Sequence, residues 1–313
     1  MASFGFMVIR GLFALAGEVA PRLTGRVAFG LFSRTPPPGR LSRREREALA
    51  RSAGLMEEAR RHRLRLPGGC VVAHDFAPEG GSRRAPAALV LHGWGSRAAH
   101  MATVIDELRR AGFRVIALDL PGHGESAGRS LNMASAVRAV QMADQWFGPF
   151  AAIVGHSFGG AVAANAIVGS IAGVPPVGAG RLVLVSAPSS MPALFSDFGA
   201  FLDLGARAQM ALAERVRELT GRPLEEFVVA DQLAAHRVPA LVVHAPDDKE
   251  VPAREAESLV RGGADARLHW APGLGHRRIL ADPGVARAIA EFLTEPGGAA
   301  PAGAGDQLLC FGS

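Results

Sequence analysis

From about Arg61 onward the chain alternates short apolar runs with segments of helical periodicity. Ala87–Leu91, Arg114–Leu118, Ala151–Val154, Leu182–Val185 and Ala240–Val243 are rich in Val, Ile and Leu, as strands buried on both faces of a parallel sheet require. Ala99–Ala111, Met133–Phe147, Ala161–Val168 and Arg254–Arg261 read as helices between them, with Ala266–Trp270 a last strand and Val285–Leu293 a last helix. Ahead of these, His62–Leu66 and Cys70–Phe76 flank Pro67-Gly68-Gly69, which predicts a hairpin. The pattern predicts an α/β fold: a doubly wound, mostly parallel sheet led by an antiparallel hairpin. Between Pro188 and Val238 the alternation stops. Leu212, Val216 and Leu219 recur there on one helix face, with no clear strand. An insertion between two strands lies at the sheet's edge or over its top, so residues 189–237 are expected to form a helical lid.

The first thirty residues have a different pattern. At 100° per residue, Arg10, Glu18, Arg22 and Arg26 gather on one side, and Ile9, Leu12, Phe13, Ala16, Val19, Leu23 and Val27 on the other. That predicts an amphipathic helix, bent near Pro21. The four charges fall inside the roughly 20 residues a membrane span needs, and no basic region precedes the apolar stretch as in a signal peptide. Two readings follow for residues 1–30: packing on the chain's own domain or a partner subunit, or lying on a membrane surface. Thr35-Pro36-Pro37-Pro38-Gly39 marks a linker, and Gly/Ala/Pro-rich Pro296–Ser313 reads as disordered. The expected organisation is an amphipathic segment and linker (1–45), one domain carrying the lid (46–295) and a tail (296–313).

Composition sets few further limits. Apolar residues make up 49% and charged residues 20% of the 313 positions, which excludes a wholly disordered chain. The net charge of +5 equals the excess between Arg40 and Arg65, where nine arginines face four glutamates. Glu45, Glu47, Glu57 and Glu58 alternate with those arginines and no nucleic-acid-binding motif accompanies them, so a solvated helix face with internal ion pairs is expected rather than a nucleic-acid partner. Cys70 and Cys310 make neither a disulfide framework nor a metal motif. No metal or organic cofactor is implied, and with no export signal evident the cytosol is the default compartment.

The candidate chemistry centres on Gly155-His156-Ser157-Phe158-Gly159-Gly160, a G-x-S-x-G motif directly after a predicted strand and before a predicted helix. A serine at the tip of such a turn stands clear of the sheet, and the following helix aims its N-terminus at the site. Serine needs a base and an oriented imidazole, supplied by later strand ends in the order Ser, acid, His. The strand Ala240–Val243 leads to two carboxylates, Asp247 and Asp248, and Gly273-Leu274-Gly275-His276 follows the last strand in a glycine-rich loop. Of ten histidines, His276 fits the base. His156 should be pointed elsewhere by the turn, His92 should fix its loop and His123 belongs to a turn. His62, His74, His100, His236, His244 and His269 have no catalytic context. The oxyanion donors are expected to be the backbone amides of Phe158 and Trp94.

These motifs resemble the α/β-hydrolase superfamily over residues 62–295. The resemblance rests on His92-Gly93-Trp94, on Asp119-Leu120-Pro121-Gly122-His123-Gly124-Glu125-Ser126, on Gly155–Gly160, on Asp248 with Val251-Pro252, and on Gly275-His276. The superfamily's acid loop reads H-G-x-x-D-x-x-V-P. Counting from His244, the resemblance implies Asp248 as the acid rather than Asp247, although Ala245-Pro246 stands where glycine is common. It implies Asp119 as a structural residue, and a serine rather than an aspartate nucleophile at position 157. The implied activity is acyl transfer to water from a small or medium carboxylic ester or thioester. An acyltransferase or perhydrolase-like relative would use the same triad, and a non-catalytic binding module would have no need of it.

Overall fold

The computed structural model describes residues 4–37 and 41–296. Eight strands form one sheet: β1 (Arg60–Leu66), β2 (Gly69–Phe76), β3 (Ala87–Leu91), β4 (Arg114–Asp119), β5 (Phe150–His156), β6 (Ala179–Val185), β7 (Ala240–His244) and β8 (Ala266–Trp270), in spatial order β1-β2-β4-β3-β5-β6-β7-β8. β1 and β2 pair antiparallel, β2 joins β4 antiparallel, and every later pair is parallel. Each predicted strand lies within one of these. The inner strands read as unbroken apolar runs because both faces are covered. Along β3, Ala87, Leu89 and Leu91 enter one core while Ala88 and Val90 enter the other, which is the period of two expected of a pleat.

Helices cover both faces. On one side lie α5 (Met133–Phe147) and α6 (Phe158–Val168), and on the other α4 (Ala102–Arg110) and α12 (Pro283–Thr294). The predicted helix at Ala99–Ala111 is a 3₁₀ turn, Ala98–Met101, followed by α4. α6 begins three residues before its prediction, since Gly159 and Gly160 weaken the periodic signal while the strand-to-helix turn holds them in the helix.

The arginine-rich stretch is not a single helix face. α3 (Arg43–Glu57) takes its first half, and Arg60, Arg61, Arg63 and Arg65 stand on β1. There Leu64 and Leu66 alternate with them, and Leu64 is the buried member. β1 is the outer edge of the sheet, and arginines along an edge oppose pairing with another chain.

The insertion between β6 and β7 folds as α7 (Met191–Leu202), α8 (Ala206–Thr220) and α9 (Val229–Ala235), tied by a bridge between Ser190 and Val228. The amino-terminal segment is two helices, α1 (Phe4–Val19) and α2 (Pro21–Ser33), broken at Ala20 before Pro21. α2 lies across α8 so closely that a Cβ at Gly25 would stand 2.7 Å from the Ala211 and Leu212 backbone. Beyond α2, Thr35 N–H donates to Arg129 and Leu131 N–H to Ser33, so the chain is fastened to the loop before α5. Pro38 and Gly39 of the predicted linker, and the predicted disordered segment from residue 297, lie outside the described residues.

Gly25→Val should therefore destabilise the fold. The added atoms meet helix backbone rather than a movable side chain, and overpacking of this kind costs about 1–3 kcal/mol. Urea unfolding checks it; unchanged stability would mean that α2 does not pack on α8 this tightly.

Candidate active site

Ser157 joins the C-terminal end of β5 to the first turn of α6 with φ 52° and ψ −125°, a strained conformation for a residue with a Cβ. Its N–H donates to Val185 O (2.8 Å), and its carbonyl accepts from Gly160 N–H (2.9 Å). The turn is possible because backbone comes very close on both sides. A Cβ at Gly159 would sit 2.5 Å from His92 O, and one at Gly93 would sit 2.9 Å from the Ser157 Cβ. The loop after β3 is thus pressed directly against the candidate nucleophile.

Two buried histidines hold that loop through the same arrangement of donor and acceptor. His92 Nε2 accepts from Leu120 N–H (3.0 Å), so its Nδ1 carries the proton and donates to Gly93 O (2.7 Å). His123 Nε2 accepts from Gly95 N–H (3.0 Å), and its Nδ1–H donates to Pro121 O (3.0 Å). Both rings must be neutral to accept. Burial, the largest cause, pushes His92 down to about 4, and burial also lowers His123. Buried Asp119 anchors the other side, accepting from Ala98 N–H (2.8 Å), Glu125 N–H (2.9 Å) and His74 Nε2 (3.1 Å). Burial alone would raise that carboxyl, but the His74 hydrogen bond and the neighbouring His92 ring outweigh it and hold it below its usual range. The Trp94 ring packs among Phe32, His123 and Phe158.

The two candidate carboxylates have different partners. Asp248 Oδ2 lies 2.8 Å from His276 Nδ1, and its Oδ1 accepts from Glu250 and Val251 N–H (2.8 and 2.9 Å). Asp247 instead accepts from Gly273 N–H (2.8 Å) and so fixes the start of the histidine segment. Burial would raise Asp248, but the His276 bond and the two amides pull it down to about 2. His276 sits in a short helix, Gly275–Arg278, rather than an open loop.

Sequence reasoning missed two neighbours of His276. His156 donates from Nε2 to the His276 carbonyl (2.9 Å), holding that backbone against the elbow. Burial, with the His276 ring beside it, drives His156 down to about 3. Glu250 pairs with Arg277 (3.0 Å) and brings its Oε2 to 3.9 Å from His276 Nε2. Both arise from long-range folding. The only signal in the sequence is that they flank the motif residues themselves. Among the described residues, no hydrogen bond joins the Ser157 hydroxyl to His276.

Beside the elbow lies an apolar cleft with about 390 Å³ of empty space, its open mouth included, lined among others by Phe158, Phe29, Phe32, Phe195, Val216 and Phe227. Side chains of α2, α7 and α8 thus line the cleft together with the residue after Ser157.

Comparison with known proteins agrees with this architecture. The sequence profile of the Alpha/beta hydrolase family matches residues 88–289. A curated relative, the dihydrolipoyllysine-residue acetyltransferase component of the acetoin cleaving system of Cupriavidus necator, is 32% identical over 222 residues, covering 60% of this chain and 58% of its own length. The chain thus spans under two thirds of that relative. Est1E from Butyrivibrio proteoclasticus, solved with ferulic acid bound, superposes at TM-score 0.58 and 17% identity, over 74% of this chain and 97% of that one. The esterase RhEst1 from Rhodococcus sp. ECU1013 superposes at TM-score 0.53 and 21% identity, over 77% and 100%. At such identities the structural likeness shows the fold alone.

The neutral histidines predict a pH dependence. His92 and His156 titrate lower in the folded chain, at about 4 and about 3, than unfolded, at about 6.5. As pH falls below 6.5 the unfolded chain takes up their protons first. Stability is therefore lost progressively from about pH 6.5 down toward pH 4, by about 1.4 kcal/mol per pH unit for each histidine. Asp248 adds a loss in the same direction at lower pH, between about 3.9 and about 2. Denaturant unfolding between about pH 7 and pH 5 measures the first window, and His92→Asn should remove one histidine's share of the slope. A flat profile would contradict the assignment of neutral rings.

Proposed function

The chain belongs to the alpha/beta hydrolase family, and from that premise we propose that it is a serine hydrolase of small or medium carboxylic esters or thioesters. One observation carries the reading: a serine in a positive-φ elbow at the N-terminus of α6, beside strand ends that pair Asp248 with His276 at 2.8 Å. His276 Nε2 takes the Ser157 proton as Oγ attacks the acyl carbon, and Asp248 holds the proton on Nδ1. The imidazolium then returns its proton to the departing alcohol or thiol. A water, deprotonated by the same imidazole, splits the acyl-enzyme into acid and free serine. Substrate binding closes the Ser157–His276 contact, as catalytic hydrogen bonds commonly tighten in the complex.

Two amides would hold the oxyanion. Phe158 N–H opens α6 and so has no acceptor within the helix. The Gly93 carbonyl turns toward the His92 ring and Ser96 N–H. In a planar trans peptide the Trp94 N–H points the opposite way, leaving it available as the second donor. The cleft walled by Phe29, Phe32, Phe195 and Val216 supports an apolar acyl group, with α7–α9 as its lid.

A second reading keeps the triad and changes the acceptor. The Cupriavidus necator relative is named as an acetyltransferase component, which supports acyl transfer to an alcohol, amine, thiol or peroxide in place of water. Product partitioning with each added nucleophile separates the two.

Labelling with a fluorophosphonate, read by intact mass, tests both at once. The wild-type chain should gain one adduct and Ser157→Ala none. His276→Ala and Asp248→Asn should react about 10³–10⁴-fold more slowly. Labelling of Ser157→Ala, or none of the folded wild type, would overturn the reading.

A further inference from the structure

α1 is amphipathic in the reverse of the usual sense. Its packed side carries Phe6, Phe13, Gly17 and Arg10, the last paired with Asp203, which caps the end of α7, at 3.5 Å. Its outward side carries Met7, Val8, Ile9, Leu12, Leu15 and Val19, all between 46% and 79% exposed. α2 continues the stripe with Leu23, Val27 and Leu31 at intervals of four, each about half or more exposed. Phe201 of α7, whose ring lies 4.7 Å from that of Phe6, and Met210 of α8 are exposed as well. A contiguous aliphatic face of this extent is too costly to leave in water without a function.

The charges around the stripe say what covers it. Glu18 is turned back to the N-terminus of α8, where a Cβ at Gly205 would lie 2.9 Å from its Oε1. Arg26 pairs with Glu218. Arg22 and Arg34 are exposed beside Leu23 and Leu31; Arg22 acts from a distance on Glu214 of α8, and among the described residues neither arginine makes a close ion pair. Exposed guanidinium groups along an aliphatic stripe match an anionic bilayer surface: the side chains enter the acyl boundary and the cations reach headgroup phosphates. A two-fold dimer on the same face would bring the exposed arginines of both copies to one rim. The helices, of 16 and 13 residues, are about 24 and 20 Å long. Among the described residues no helix is long and apolar enough to cross a membrane.

We propose that the bent α1–α2 pair is a docking surface for anionic lipid bilayers, on which both helices lie in the plane of the interface. The opposite face of α2 places Phe29 and Phe32 in the cleft beside Phe158. One helix therefore separates the bilayer from the candidate acyl pocket. The docking does not depend on the hydrolase reading.

Flotation of the full chain with mixed phosphatidylglycerol–phosphatidylcholine vesicles, and with phosphatidylcholine alone, tests the proposal. The wild type should float with the anionic vesicles, less so with the neutral ones, and less at high salt. Leu12→Gln, Leu15→Gln and Leu23→Gln together replace only exposed side chains. This variant should keep its thermal unfolding temperature and lose at least about tenfold in partitioning. Arg22→Gln with Arg34→Gln should lose roughly fivefold per arginine, on anionic vesicles only. Ser157→Ala should float like the wild type, so a failure of the hydrolase reading leaves this readout intact. A wild type that stays in the aqueous phase, a leucine variant that floats unchanged, or a stable dimer that the leucine substitutions dissolve would each overturn the proposal.

Discussion

Everything at the site depends on how closely three pieces of backbone meet around Ser157. The loop after β3, the end of β5 and the first turn of α6 approach to distances that leave no room for a Cβ at Gly159, where His92 O would be 2.5 Å away. Ser157 accepts a positive φ because its N–H is held by Val185 O and its carbonyl by Gly160 N–H. The strain is local and is offset by the sheet around it, where Ile153, Val154, Val183 and Leu184 are fully buried. Loosening the packing would let the serine relax into the sheet, and the hydroxyl would no longer stand at the helix N-terminus.

A second constraint follows from the first. A loop pressed this close cannot be fixed by packing alone, since its amides and carbonyls must find partners without water. His92 and His123 solve the problem in the same way, each accepting one backbone N–H and donating to one backbone carbonyl. A charged ring could donate twice but accept nothing, so the loop's geometry and the low basicity of these rings are one fact seen from two sides. Orienting the Gly93 carbonyl toward His92 also orients the Trp94 N–H. The framework histidines thereby set an amide direction at the site without touching a substrate.

Much of the fold was legible because buried parallel strands leave a plain signature. Runs such as Ala87–Leu91 and Ala240–Val243 have no polar interruption, and α5 runs from Met133 to Phe147 as its periodicity predicts. Local signals failed where tertiary packing decided the outcome. The charge pattern of Arg40–Arg65 does not by itself separate a charged helix from a charged edge strand; only the hairpin signal at Pro67-Gly68-Gly69 places the strand, at His62–Leu66. At the site, motif spacing led to Asp248 and His276, which lie 2.8 Å apart. The bond from His156 to the His276 carbonyl spans 120 residues of sequence, and no local pattern encodes it.

The amino-terminal helices show a different limit. Periodicity identified two faces on α1 but could not say which of them turns inward. Burial normally decides in favour of the apolar face. Here close contact decided otherwise: Gly17 and Gly25 are the positions where α1 and α2 approach α8, at Ala208 and at Ala211. Small residues let helix backbones meet at short range, and that geometry rotates the larger aliphatic side chains outward. Phe29 and Phe32 complete the arrangement, because they can reach Phe195 over the cleft only if Leu23, Val27 and Leu31 point away from it. The exposed stripe is thus a direct consequence of how α2 lines the cleft with its other face.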